Sequence, residues 1–157
     1  MAMGSAYVMT SGKITLAASA TKSLILLAPA ATTSIRIVGM SVSMDASALA
    51  AGVQIDLYRV ATLGTPAGSS TLVPQPMFEE TTPATANTTA LYSLTTEPTT
   101  VTVLESWYVQ PVGGLLVVQL PLGREYGAKA GGAHVGVRAI TPAGVTPDVI
   151  ANIQFEE

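Results

Sequence analysis

Hydrophobic and polar residues alternate in short runs along most of this chain, and the runs are separated by glycine, proline and alanine–threonine stretches. The clearest run covers residues 54–62 and the valine before it. There, Val53, Ile55, Leu57 and Arg59 fall on one face of an extended segment, because successive side chains of a strand point to opposite sides. Similar runs predict strands near residues 13–17, 23–28, 34–44, 99–109, 115–120, 133–140 and 149–155.

Strands at this spacing with no helical run between them predict an all-β protein. We expect an antiparallel β-sandwich, a jelly roll of about eight strands, built as one domain over residues 1–157. Residues 1–10 are interpreted as an N-terminal arm.

Residues 63–98 break the pattern, because prolines recur among threonine, alanine, serine and glycine. Proline lacks a backbone donor and restricts the residue before it, so long regular elements are not expected here. We predict an extended excursion with short edge strands near residues 71–73 and 90–94, and contacts with neighbouring subunits. Residues 45–52 are consistent with either one helical turn or a loop.

The composition leaves few groups for chemistry. Charged residues make up 11% of the chain, cysteine is absent and histidine occurs once. We therefore predict no enzyme activity, no catalytic residues, no cofactor and no metal site. The net charge is −3 and the seven basic residues are scattered, so direct nucleic-acid binding is not expected.

Hydrophobic residues make up 48% of the sequence. The longest apolar runs, at residues 24–31 and 112–122, fall short of the roughly 20 residues that a membrane-spanning helix needs, so we expect no membrane partner. The first residues lack the basic and apolar regions of a signal peptide, which predicts synthesis in a cytosol. An apolar, charge-poor chain favours association, so we expect a homo-oligomer.

Aromatic and charged residues are concentrated in the C-terminal half. Neighbouring aromatics at 107 and 108 should lie on opposite faces of one strand, where burial in the core or at an interface is favoured over a sugar-binding platform. The segment Pro121-Leu-Gly-Arg-Glu-Tyr126 is the densest patch of functional groups, and a structural role is favoured for it. The candidate interface or structural residues are Trp107, Tyr108, Arg124, Glu125, Tyr126 and Arg138.

The single histidine, His134, starts a predicted strand. With no cysteine and no nearby pair of carboxylates, it is interpreted as a surface or hydrogen-bonded residue rather than a ligand or a base. An enzyme would require a pocket that joins His134 to Glu105 or Glu125.

Two stretches carry a resemblance to a known group of proteins. Residues 104–125 (LESWYVQPVGGLLVVQLPLGRE) and 131–139 (GGAHVGVRA) are similar to small virion proteins of tailed bacteriophages, whose β-sandwich coats a particle surface. The resemblance covers roughly residues 99–157. It implies a head decoration or cement protein in the virion, with the trimer as the favoured state, bound to the major capsid protein or other virion proteins and stabilising the shell.

An alternative has the same composition. A minor tail or head-fibre protein could carry a receptor-binding or glycan-binding β-sandwich, which would need an exposed aromatic shelf around Trp107, Tyr108 or Tyr126.

Overall fold

A computed structural model describes residues 5–46, 51–61, 70–77 and 86–157. These residues form twelve strands, and every strand pairing is antiparallel. No helix occurs in the ranges just given. The strands are β1 (Ala6–Thr15), β2 (Thr21–Ala28), β3 (Ile35–Asp45), β4 (Val53–Val60), β5 (Ser70–Leu72), β6 (Gln75–Pro76), β7 (Thr89–Tyr92), β8 (Thr102–Val109), β9 (Leu115–Gln119), β10 (Tyr126–Ala128), β11 (His134–Ile140) and β12 (Asp148–Glu156).

The strands form two sheets. The first sheet has the order β10-β3-β12-β1-β6, and β9 also pairs with β3. Because β12 occupies one side of β3, both β9 and β10 lie along the other side, with Gln119 opposite Gly39 and Tyr126 opposite Ile37. They are two parts of one edge strand, interrupted by residues 120–125. The second sheet has the order β5-β7-β2-β11-β4-β8.

Alternate side chains from both sheets meet in one hydrophobic core. In the first sheet, Tyr7 and Phe155 are buried and their rings stack with centroids 5.5 Å apart. In the second sheet, Ile55, Leu57 and Val137 are buried in the same cluster. Two antiparallel sheets that share a core agree with the expected β-sandwich.

The expectation of an N-terminal arm at residues 1–10 needs correction. Residues 6–10 belong to β1, which pairs with β12 on one side and β6 on the other. Tyr7 and Met9 alternate inward, and their burial among core residues holds this segment in the sheet. The alternation continues to Ser11 and resumes at Ile14 after a register shift between Thr10 and Lys13, so the strand begins earlier than the predicted 13–17. Residues 1–4 lie outside the described ranges.

The two short strands predicted within residues 63–98 are confirmed as β5 and β7. Between them the chain adds β6 to the edge of the first sheet, where Gln75 pairs with Val8. Half of the predicted helical turn or loop at 45–52 falls on residues 47–50, and those, with 62–69 and 78–85, are not among the described residues.

A second, smaller core covers the outer face of the second sheet. Leu26, Tyr58 and Val60 point outward from their strands and are buried against Leu94, with Leu91 and Val101 packed alongside. The segment that follows β7 therefore folds back over its own sheet. This cover explains why β2 reads as a continuous apolar run, since both of its faces are buried.

Candidate interaction surface

The two long sides of the sandwich differ in the strands that form their edges. On one side, β6 extends the first sheet beyond β1, while β7 and β5 extend the second sheet beyond β2. On the other side, β8 ends one sheet and β9 with β10 ends the other, and no further described strand pairs with them. This second side is the open side of the molecule.

Apolar side chains line the gap between these two edge strands. They contact the main core but remain partly exposed to solvent, unlike the fully buried residues behind them. We call this set the open seam; it consists of Leu104, Trp107, Leu116, Val118, Leu120 and Tyr126.

The two adjacent aromatics of β8 point to opposite faces, as the sequence predicts. Trp107 lies opposite Ile55 and turns inward, where it is partly buried in the open seam. Tyr108 lies opposite Gln54 on the outer face and is 77% exposed. Its hydroxyl donates a long hydrogen bond of 3.4 Å to the Gln54 side-chain oxygen. Tyr108 is therefore accessible, and Trp107 fills the gap between the sheets.

One hydrogen bond crosses the open seam from sheet to sheet. The Tyr126 hydroxyl, on β10, donates to the Glu105 carboxylate, on β8, over 2.7 Å. This bond to a carboxylate is the main cause of a raised pKa at Tyr126. Glu105 is opposite Leu57 next to a register shift in β8, so its side chain lies on the inward side of the edge. The bond fixes the spacing of the two edges.

The interruption between β9 and β10 forms a tight turn that projects from the edge. The Arg124 amide donates to the Pro121 carbonyl over 2.9 Å, and Gly123 has φ +83°, which a type II turn requires at this position. The Glu125 carboxylate accepts from the Gly123 amide over 2.8 Å. These bonds hold Leu122 at the tip, 90% exposed.

Arg124 and Glu125 therefore have separate roles in this turn. Glu125 stabilises the turn through the backbone, whereas the Arg124 side chain is exposed and forms no ion pair with any described residue. Five of the six candidate residues lie on or beside the open side: Trp107 and Tyr108 on β8, and Arg124, Glu125 and Tyr126 in or next to the turn. The position of the turn was not readable from sequence, because the pairing of both flanking strands with β3 creates it.

The sixth candidate, Arg138, lies elsewhere. It donates through Nε and Nη2 to one oxygen of Asp56 at 3.0 and 2.9 Å, and its guanidinium carbon is 5.3 Å from the centre of the Tyr58 ring. Ser106 and Gln54 donate to the other carboxylate oxygen at 2.6 and 2.8 Å. Burial alone would raise the pKa of Asp56, but these donors together hold it below its ordinary value. Arg138 therefore forms its ion pair within the same chain, on the outer face of the second sheet.

The same outer face carries a polar anchor for the covering segment. Glu97 accepts from the Ser23 amide at 2.9 Å and from the Ser23 hydroxyl, and it forms an ion pair with Lys22 at 3.6 Å. The Ser23 hydroxyl also lies 2.7 Å from the Tyr58 hydroxyl. Sequence reasoning missed Glu97, because nothing in the local pattern links it to β2.

His134 starts β11 as predicted, and its Nδ1 is buried with no hydrogen-bond partner among the described residues. Burial is the main cause of a lowered pKa for this imidazole. Glu105 and Glu125 are engaged with Tyr126 and the turn, as described above. In the described ranges, no group of three or more histidine, cysteine or acidic residues is placed to hold a metal ion.

No protein-family model, no curated protein and no solved structure matches this chain. Within the part of the chain that the structure describes, no helix is long and apolar enough to cross a bilayer.

Proposed function

We propose that this chain is a non-enzymatic structural subunit of a bacteriophage virion, a capsid decoration or cement protein that coats the shell as a homo-oligomer. The observation that carries the proposal is the open seam, where apolar side chains of the core reach solvent between two uncovered strand edges. The similarity of residues 99–157 to small virion proteins supplies the particle context.

We further infer a jelly-roll fold. If β9 and β10 count as one strand and the short β5, β6 and β7 are set aside, eight strands remain in chain order. One sheet then has the order six, three, eight, one, and the other two, seven, four, five. This interleaving of early and late strands is the arrangement of a two-Greek-key jelly roll, and it supports the inferred fold.

The two uncovered edges carry little of the usual protection against strand pairing, since β8, β9 and β10 contain no lysine and no proline. Natural edge strands are protected by lysines, prolines or inward-pointing charges. In β8 and β9 the only charged residue is Glu105, and its carboxylate is bonded to Tyr126. The neighbouring exposed side chains include Val103, Leu115 and Val117. An edge of this kind favours addition of another strand.

We infer that a second copy of this chain covers the open seam. Bringing two copies together places almost no like charges in contact, since the strands that border the seam carry a single carboxylate. Covering the partly exposed core residues contributes about 25 cal/mol for each Å² of apolar surface removed from water. Repetition of weak contacts over a symmetric shell then raises the overall affinity for the particle.

The oligomeric state tests the contact. Light scattering coupled to size-exclusion chromatography should give a mass about three times the 16.0 kDa of the chain at micromolar concentration. Val117→Lys places a charge on the uncovered edge at a site 58% exposed, so the chain should fold and become monomeric. Val73→Lys is the matched control, because Val73 is 69% exposed next to β5, on the side of the sandwich opposite the open side.

A monomeric parent chain, or equal behaviour of the two lysine variants, would contradict the contact. Copy number in purified particles tests the location. Quantitative mass spectrometry should find hundreds of copies per particle for a shell coat. A handful would favour a tail component, and absence from particles would refute the virion role.

The exposure of Tyr108 favours one second candidate, a tail or head-fibre module that binds a receptor or glycan. In that case a glycan array should give a specific signal that Tyr108→Ala removes, while the Val73→Lys variant retains it.

A further inference from the structure

A cavity of about 430 Å³ lies at the end of the sandwich where β3 and β11 begin and β4 and β10 end. Its walls are largely apolar and include Ile35, Ala128 and Ala133, while Ser34 adds a hydroxyl. A volume of this size falls within the range of ordinary small-ligand pockets. The cavity is separate from the open seam, with which it shares no lining residue.

Three cationic side chains border this cavity: Arg36, Arg59 and Lys129. Arg36 is neutralised by Glu156, whose carboxylate lies 2.7 Å from its Nη2. Arg59 and Lys129 form no ion pair within the described ranges. The cavity therefore carries an excess of positive charge.

Arg59 is held in place but only partly satisfied. It follows Ile55 and Leu57 on the inward face of β4, and its Nη2 crosses to the other sheet to donate to the Gly127 carbonyl over 2.7 Å. Its Nε is buried and has no hydrogen-bond partner among the described residues. A guanidinium carries five N–H donors, and a buried one without an acceptor is costly. Among the residues that the structure describes, none gives this guanidinium an acceptor with negative charge.

The cavity walls are preformed by tight backbone contacts. The Gly131 amide donates to the Ala30 carbonyl over 3.0 Å, and the Gly132 amide donates to the Lys129 carbonyl over 3.1 Å. A Cβ on Gly127 would lie 2.7 Å from the Ile35 carbonyl oxygen, so only glycine permits this approach of β10 to β3. Little ordering is required before a ligand enters, which favours binding.

We propose that this cavity binds a carboxylate carried on a small apolar group, with Arg59 as the main recognition residue and Lys129 as a second cation. The planar guanidinium matches a carboxylate with paired N–H donors, and the alkyl part of the ligand would contact Ile35, Ala128 and Ala133. Such a group can belong to a free small acid or to the C-terminal residue of a polypeptide. Both present the same chemistry to Arg59.

Titration of the full chain tests the proposal, with the backbone amide signals of Gly127 and Gly132 followed by NMR. The probes are hexanoate with its neutral match hexanamide, and acetyl-Ala-Ala-Leu with its C-terminal amide. We expect saturable shifts with hexanoate, the free-carboxyl peptide or both, and none with the two amides. Response to the peptide alone identifies a polypeptide end as the source, and response to hexanoate identifies a free acid. Either response supports the carboxylate site.

Three variants connect the shifts to the cavity. Arg59→Met should weaken binding by about tenfold or more, because a charge-assisted hydrogen bond is lost. Lys129→Met, at an exposed position that folding tolerates, should weaken it by about threefold. Arg124→Met removes an exposed arginine that does not line the cavity and should leave binding unchanged.

Three results would overturn the proposal: no saturable shift with either carboxylate, equal shifts with the amides, or unchanged affinity in both cavity variants. If Arg59→Met fails to fold, Lys129→Met and the comparison of acids with amides still decide the outcome.

Discussion

Replacing Asp56 with asparagine should remove a large part of the stability of this protein. Asp56 is fully buried and its partner Arg138 has a side chain only 14% exposed. The oxygen Oδ1 accepts from Ser106 and Gln54, and an asparagine oxygen can take over both bonds. The amide nitrogen would then face the two N–H donors of Arg138, which leaves that charge buried without a partner.

The expected cost follows from this geometry. Breaking a buried ion pair by removing one partner costs about 3–5 kcal/mol. A domain has a total free energy of unfolding of about 5–15 kcal/mol, so Asp56→Asn should remove about a fifth of it or more. For a chain of this length each kcal/mol lowers the melting temperature by about 2–4 °C.

Urea unfolding followed by circular dichroism measures the effect. The double variant Asp56→Asn with Arg138→Met should be less destabilised than the sum of the single variants, because no charge remains uncompensated, and the coupling should be about 2 kcal/mol. Asp148→Asn is the matched control: its ion pair with Lys13 is short, at 2.6 Å, but exposed, so the midpoint should stay close to that of the parent. A loss below about 1 kcal/mol for Asp56→Asn, or additive single variants, would refute the role assigned to this pair.

Three further outcomes are expected. Gly136→Ala should destabilise the chain by about 1–3 kcal/mol in urea, because its Cβ would lie 2.4 Å from the Ile25 carbonyl oxygen, whereas Gly52→Ala meets ordinary contacts and should be near neutral. The pKa of His134 is lowered in the folded protein, so below the ordinary pKa of 6.5 the unfolded chain binds more protons at this residue than the folded chain does. The free energy of unfolding should therefore fall from pH 7 toward pH 5, and His134→Asn should reduce that pH dependence. An unchanged pH dependence in the variant would argue against this role of His134. Glu97→Gln should increase amide hydrogen exchange in residues 94–101 without changing exchange in β12. Exchange in residues 94–101 equal to that of the parent chain would show that the Glu97 anchor is dispensable.

The main strands were predictable because their side chains alternate with a period of two. Strands β3, β4, β9, β11 and β12 lie within a few residues of their predicted ranges. The start of β1 was missed because Tyr7 and Met9 follow a short glycine-containing segment, MAMGSA, in which polar and apolar residues do not alternate. Only pairing with β12 reveals that these two side chains enter the core.

The candidate residues show a similar division. The sequence places Trp107 and Tyr108 on opposite faces of a strand, and the structure confirms that geometry. It cannot distinguish Arg138 from Arg124, since both are arginines in or beside predicted strands. The first meets a buried carboxylate from β4, whereas the second is exposed at a turn, and this difference arises from contacts between distant parts of the chain.

The sequence by itself determined the all-β character, the positions of most strands and the scarcity of reactive side chains, because these depend on local alternation and on composition. Tertiary structure alone decided which strand edges are covered, which core residues reach solvent at the open seam and which cations border the cavity beside Arg59. Those features depend on strand order, and strand order is set by long-range pairing that no local pattern encodes.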